Sequence, residues 1–261
     1  MAGIMSAAIN KQRVVQRFAK ALATYDNHAC VQQAVNQRLM ALLIEKCGCA
    51  FAHVLEVGCG SGDLTALIYR DLCVQQGWHN DINPLAVEQV AEKWQGEHTH
   101  FFCADGEELK CTLPLVHQFD LWLSGSTVQW FHQPERIVAQ AQLGLRQGGV
   151  LAFSTFLSHN LYEIRTLTGK GLHYPTQAQW QAWLEPHFTL VALEACLCPL
   201  DFPTPRAVLK HLQATGVTAT AHMPWNKTRL QKFEQSYCTQ FATPTGVQLT
   251  YNPLIIIAKR K

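Results

Sequence analysis

HVLEVGCGSGDLTALIYRDL, residues 53–72, decides the fold. His53 to Val57 is apolar enough for a buried strand, and Asp63 to Leu72 has helical spacing. Between them stands Gly58-Cys59-Gly60-Ser61-Gly62, with glycines where a chain must leave a strand, turn sharply and let a ligand approach its backbone. The pattern is GxGxG. A dinucleotide-binding turn prefers GxGxxG, whose third glycine would fall where Asp63 stands, and this argues against a dehydrogenase.

Outward from this β-loop-α start, two helical stretches precede the strand: one with Val15, Phe18, Ala19 and Leu22 on one face, and one from Cys30 to Lys46. Downstream, Asn83-Pro84 opens a helix with Val87, Val90, Ala91 and Trp94 inward. Apolar segments recur at Thr99–Cys103, Phe119–Ser124 and Val150–Phe156, with a helical stretch from Pro134 to Arg146. The second strand, around Gln75–His79, is unusually polar for a buried position. Alternation of this kind predicts an α/β fold: a Rossmann-like, mostly parallel sheet with helices on both faces.

After Phe156 the rhythm changes. A polar, aromatic stretch from Ser158 to Gln177 leads to a helix near Ala178–Leu184 and a strand at Phe188–Glu194. Thr204, Pro205 and Gly216 bracket a further helix, another spans Lys227–Phe241, and Val247–Lys259 closes the chain with Leu254–Ile257 as a buried strand. The expected layout is a single domain. It has a helical lid (1–50), a cofactor-binding core (51–157), cap or insertion segments (158–185 and 196–245) and remaining core strands (186–195 and 246–261).

Composition narrows the function classes. The chain has 261 residues, 48% hydrophobic and 15% charged, which predicts an ordered globular protein, and the net charge of +2 gives no global reason for a nucleic-acid partner. Ten cysteines are scattered without a CxxC pair, and Cys47-Gly-Cys49 and Cys196-Leu-Cys198 are too close for zinc-finger spacing, so no metal site is expected. The N-terminus lacks a signal-peptide core and no run reaches membrane-span length, so a cytoplasmic location with no membrane partner is expected.

Three acids end successive strands: Glu56 before the glycines, Asp81 after the second strand and Asp105 after the third. A carboxylate at the second position can accept both ribose hydroxyls, and one at the third an adenine amino group. S-Adenosylmethionine carries no phosphate and needs close backbone approach rather than a pyrophosphate cradle, which suits this turn. Each feature also has a plainer reading: Asp81 as a helix cap, Asp105 as a solvent-facing turn residue, and Cys59 as a small turn residue rather than a nucleophile.

Several segments together, RFAKALATYDNHACVQ (17–32), HVLEVGCGSG (53–62), ADGEEL (104–109), FDLWLSGSTVQW (119–130), RQGGVLAFSTF (146–156) and LKHLQATGV (209–217), resemble class I methyltransferases. Specifically, they resemble the malonyl-[acyl-carrier protein] O-methyltransferase family of biotin synthesis, over nearly the whole chain. The glycine turn identifies only the superfamily; the N-terminal segment, VQW and LKxxxxTG are more particular. Gly125 departs from the asparagine expected beside Ser124, and Lys210 stands where either basic residue fits. The resemblance implies S-adenosylmethionine as methyl donor, held by Glu56, Gly58, Cys59, Gly60, Gly62, Asp81, Ile82, Asp105, Gly106 and Ser124. It places Tyr25 in a lid and Gln129-Trp130 on the substrate side, as positioning residues rather than a general base; Tyr25 as a helix anchor and Trp130 as core are the plainer alternatives.

The implied acceptor is the free carboxylate of a malonyl thioester on acyl carrier protein. Such a group is ionised at neutral pH, so catalysis rests on alignment and water exclusion. Arg206 and Lys210, four apart on the predicted insertion helix and extended by Gln213, are expected to contact the malonyl carboxylate or the carrier; Arg165 and His173 are further basic candidates. A small free acid such as an aconitate-type acceptor, or a non-catalytic methyltransferase-like subunit, are the alternatives.

Overall fold

The computed structural model describes residues 5–6, 9–113, 117–217 and 226–261. Helices α1 (Lys11–Tyr25) and α2 (Cys30–Cys47) precede strand β1 (Ala50–Val57). Next come α3 (Asp63–Asp71), β2 (Cys73–Asp81), α4 (Pro84–Trp94), β3 (Thr99–Cys103), β4 (Phe119–Ser124), α5 (Arg136–Gly144) and β5 (Leu145–Phe156). The second half runs α6 (Tyr162–Thr168), α7 (Gln177–Leu184), β6 (Phe188–Ala195), β7 (Cys198–Phe202), α8 (Pro205–Ala214), α9 (Lys227–Phe241), β8 (Gly246–Tyr251) and β9 (Pro253–Arg260).

Seven strands form the main sheet in the order β3-β2-β1-β4-β5-β9-β6. The first five run parallel, and β9 inserts antiparallel between β5 and β6. Side chains alternate across it. Leu121, Leu123, Ile255 and Ile257 join one core with Leu39 and Leu43 of α2 and Ile68 of α3. Phe119, Trp122, Leu254 and Ile256 join the opposite core with Ile137 and Ala141 of α5 and Trp180 of α7. The period-2 switch of near-continuous apolar strands is what a sheet covered on both faces requires.

Local signals act where expected. The Asn83 side chain caps α4 by accepting from Leu85 N–H, with Pro84 opening the helix, and Thr204 caps α8 with Pro205 in its first turn. The polarity of β2 has a structural cause: its Gln76 bonds His98 and His100 at the surface, and its His79 is fully buried against Glu56.

Two features depart from the sequence reading. The stretch 158–177 contains a helix, α6, anchored by the buried Glu163, whose carboxylate accepts from Thr250 N–H (3.0 Å) and Thr250 Oγ1–H (2.6 Å). The closing segment breaks at Asn252: residues 246–251 pair antiparallel with β7 in a separate small sheet extended by Ala242–Thr243, and only β9 enters the core. Thus 246–251 pairs outside the main sheet, although Val247, Leu249 and Tyr251 still pack into the core shared with α2. Among the described residues, no helix is long and apolar enough to cross a membrane.

Candidate functional site

The glycine turn emerges from β1 in left-handed backbone, with φ of +82° at Gly58, +54° at Gly60 and +89° at Gly62. Gly58 and Cys59 N–H both donate to Asn80 O, at 2.8 and 2.9 Å, so the turn is pinned to the end of β2. The glycines do different jobs. A Cβ at Gly58 would lie 2.8 Å from Thr127 Cβ, and one at Gly62 would lie 3.2 Å from Val90, whereas one at Gly60 would meet nothing within 4 Å. Gly60 therefore faces open space, and Gly58 and Gly62 allow close packing.

That space is a cleft over the carboxyl ends of β1, β2 and β3, the usual ligand position in such sheets. Gly58, Cys59, Gly60, Asp81, Ile82, Asp105 and Gly106 line it, as the sequence predicts, with Val14, Phe18 and Tyr25 of α1 over it. Asp81 Oδ2 accepts from Gly60 N–H at 3.0 Å and Oδ1 from Asn83 N–H at 2.8 Å. Burial pushes its carboxyl pKa up against those two bonds. Asn83, not Asp81, caps the helix. Burial also pushes the Cys59 thiol well up, which keeps it protonated and favours its reading as a turn residue.

Asp105 is not a bare acceptor. Its Oδ2 lies 2.6 Å from Lys11 Nζ and its Oδ1 accepts from Glu107 N–H at 3.0 Å. Lys11 also pairs with the buried Glu107, which further accepts from His132 N–H (2.9 Å) and Gln133 N–H (2.8 Å). Burial alone would raise the Glu107 pKa, but Lys11 and the two amides outweigh it and hold it below the usual range. This lock joins the start of α1 to the floor of the cleft. The sequence reading missed both residues; a lysine opening the lid helix and an acid two residues past Asp105 were the available signals.

Three expected donor residues act from behind the cleft instead of lining it. Glu56 is fully buried, with Oε2 accepting from Thr65 Oγ1 at 2.7 Å and lying 2.6 Å from His79 Nδ1. Ser124 is equally buried and donates to Val57 O at 2.8 Å, joining β4 to β1. Gly62 packs on Val90 at the start of α3. All three shape the turn.

A second cavity adjoins the first, and Phe18, Tyr25, Gln32, Ser126 and Trp130 line both. Trp130 meets Phe18 edge-on, with centroids 5.5 Å apart and planes at 84°. Gln129 lines this second cavity, its Nε2 donating to Ser126 O and its Oε1 buried without a partner. Asn160, Tyr174, Thr215 and Tyr251 complete its polar wall. Tyr174 Oη accepts from Asn160 Nδ2 at 2.9 Å and keeps its own proton to offer; burial pushes its pKa up to about 12. Burial likewise raises Tyr25 and Tyr251. Among the described residues, none of the side chains lining this cavity is basic.

The LKxxxxTG segment forms the roof. Thr215 Oγ1 donates to His211 O at 3.0 Å, and the left-handed Gly216 lies against the Phe18 ring, where a Cβ would be 3.2 Å away. Arg206, Lys210 and Gln213 occupy the outer, exposed face of α8, and Arg206 is ion-paired with Glu234 of α9. None of the three lines either cavity. His173 is exposed too, and Arg165 lies over the Tyr174 ring, 5.8 Å from its centroid, and donates to Ser158 O.

A parallel sheet with one reversed strand near its edge, a glycine turn after β1 and acids ending β2 and β3 define a class I methyltransferase. Residues 55–153 match the family model described as a methyltransferase domain. YcgJ from Bacillus subtilis superposes with a TM-score of 0.62 at 14% identity, covering 86% of this chain and 99% of that one. The N-methyltransferase NodS from Bradyrhizobium japonicum, in complex with S-adenosylhomocysteine, does so at 0.59 and 14%, covering 95% and 98%. Likeness at these identities concerns the fold alone. The malonyl-[acyl-carrier protein] O-methyltransferase of Haemophilus influenzae is 42% identical over 254 residues, 97% of this chain and 95% of that protein. Its counterpart in Haemophilus ducreyi is 37% identical over 259 residues, 98% and 99%. The chain belongs to the malonyl-[acyl-carrier protein] O-methyltransferase family.

Proposed function

We propose that this protein methylates the free carboxylate of a malonyl group carried by acyl carrier protein, with S-adenosylmethionine as donor, to give the methyl ester. The observation that carries this reading is the junction of the two cavities at Phe18, Tyr25 and Trp130, one cavity with acids suited to a nucleoside and the other with neutral polar groups suited to a small acyl head.

The donor fits the first cleft. Gly60 leaves its backbone open, Asp81 offers a carboxylate to ribose hydroxyls, and Ile82, Asp105 and Gly106 border the adenine position. When bound, S-adenosylmethionine supplies an electrophilic methyl group on a sulfonium. The chain then has to hold a carboxylate oxygen in line with that methyl and keep water out. No residue has to remove a proton, since the acceptor is already ionised at neutral pH. Hydroxyls such as Tyr174 orient the carboxylate, where a close cation would quench its nucleophilicity. Phe18 and Trp130 close the junction with apolar surface.

Lys210 and Gln213, on the outer face of α8, are the docking surface for the acidic carrier, with the phosphopantetheine arm entering beneath α8. A cytoplasmic location is part of this reading: all ten cysteines are unpaired, seven of them exposed, as suits a reducing compartment.

The test is incubation with methyl-labelled S-adenosylmethionine and malonyl-acyl carrier protein, with malonyl-coenzyme A, free malonate and aconitate in parallel. A base-labile methyl ester on the carrier is expected. Donor binding without label on any malonyl acceptor would overturn the acceptor assignment and leave the methyltransferase class intact.

A further inference from the structure

Asn36 sits on the inward face of α2, one turn after Gln32, and is 8% exposed. Its Nδ2 donates to Asp63 Oδ2 at 2.8 Å, which fixes the orientation of the amide, because only the nitrogen side can donate to a carboxylate. The oxygen is thereby turned away from Asp63. Asn36 Oδ1 is buried and has no hydrogen-bond partner, and Asn36 lines the donor cleft. A buried acceptor in this state costs stability until a donor group reaches it.

The neighbouring residue in space is Gly125, immediately after β4. A Cβ built there would overlap Asn36 Oδ1, lie 3.2 Å from Asn36 Cγ and 3.1 Å from Leu64 Cδ2. Positions 36 and 125 therefore compete for one volume, and in this chain the amide of residue 36 fills it. Gly125 is not in left-handed backbone, so its lack of a side chain answers to that space and not to its φ.

Sheet order gives the chemical identity of what the oxygen meets. Asp81 and Asp105 end β2 and β3, on one side of β1, whereas Gly125 ends β4 on the other side. A donor whose nucleoside lies over β2 and β3 places its amino-acid part over the β1–β4 side. The cationic group of that part is an α-ammonium. Asn36 offers it a fixed oxygen acceptor, and Asp63, which also lines the cleft, adds a negative charge behind the amide.

We infer that Asn36, oriented by Asp63 and accommodated by Gly125, is the side chain that receives the α-ammonium of the methyl donor. The inference rests on the donor assignment above. It makes Asn36 a binding residue that selects an amino-acid-bearing nucleoside.

Isothermal titration calorimetry of the purified full chain tests this with two probes. They are S-adenosylhomocysteine and 5′-(3-carboxypropylthio)-5′-deoxyadenosine, the same molecule without its amino group. The native protein should prefer S-adenosylhomocysteine, and Asn36→Ala should weaken that ligand roughly tenfold, about 1.4 kcal/mol, while leaving the deamino probe nearly unchanged. Asn36→Ala combined with Gly125→Asn rebuilds an amide in the shared volume and should recover most of the preference. Equal weakening of both probes by Asn36→Ala, or no weakening of either, would overturn the inference. A native protein that binds neither S-adenosylmethionine nor S-adenosylhomocysteine would instead overturn the donor assignment itself.

Discussion

His79 Nδ1 lies 2.6 Å from Glu56 Oε2, and both side chains are completely buried behind the glycine turn. The chain of contacts runs on from Thr65 through Glu56 and His79 to Tyr69, whose Oη is 2.6 Å from His79 Nε2. Tyr69 then stacks on Trp94. This network ties β1 and β2 to α3 and α4 at the residues from which the turn departs. Glu56→Ala strips two partners of their acceptor in a dry site, and about 3 kcal/mol of stability should be lost in urea unfolding, since breaking a buried pair leaves its partner unsatisfied. Glu56→Gln keeps an acceptor for Thr65 and should lose less than half as much. If Glu56 touched the donor instead, the two variants would weaken donor binding without this stability ranking.

The Lys11 lock predicts a kinetic effect. Lys11 joins α1 to Asp105 and Glu107, so the helix that covers the cleft is held by charge at its first turn. Lys11→Met keeps a side chain of similar length and removes the ion pairs, together with the ammonium that lies 5.8 Å from the Phe131 ring centroid. Donor dissociation, followed by stopped-flow fluorescence, should speed up roughly tenfold with a smaller change in association, because lid contacts act mainly on the off-rate. An unchanged off-rate would show that α1 closes the cleft without the lock.

How far the sequence revealed this site follows from where its signals lie. GxGxG and the acids at 81 and 105 are local consequences of strand ends, so they were readable, and Gly58, Gly60, Asp81 and Asp105 line the cleft. Glu56 and Ser124 also stand at strand ends, but adjacency in sequence does not say which side of a strand end faces the ligand; both are fully buried, Glu56 against Thr65 and His79 and Ser124 against Val57 O. Gln32 and Asn36 were passed over as ordinary helix positions, although two polar residues four apart among Val31, Val35 and Leu39 interrupt an apolar face. The cap was the least legible part. β7 has only five residues and alternates half-buried with exposed side chains, a weak pattern that becomes a strand through its partner β8, about fifty residues later.

His211 gives the roof a pH dependence. Its Nε2 is 2.8 Å from Tyr251 Oη, and burial first, then His28, lowers its pKa from the usual value of 6.5. The unfolded chain therefore takes the proton before the folded one as pH falls. The stabilisation is fully present above about pH 6.5, declines as pH drops toward the depressed folded value, and is flat below it. The difference in unfolding free energy between the native protein and His211→Gln should accordingly be constant near neutrality and narrow as the pH falls below about 6.5. A difference that widens on acidification would place the charged imidazolium in the folded roof.

With the acceptor placed as proposed, its binding should separate into two parts, since Tyr174 lines the inner cavity and Lys210 lies on the exposed face of α8. Tyr174→Phe removes one hydroxyl from the cavity wall and frees Asn160 Nδ2 of its partner. It should lower kcat for malonyl-acyl carrier protein and for malonyl-coenzyme A alike, by about tenfold for one lost orienting hydrogen bond, with donor binding retained. Lys210→Glu should raise KM for the carrier-bound substrate only, and the effect should shrink in high salt, where exposed charges are screened. Arg206 is a weaker probe of docking, since its guanidinium already serves Glu234. Were Lys210→Glu to impair the coenzyme A thioester as strongly as the carrier, the lysine would have to reach the acyl head, and the outer face of α8 could not be the docking surface.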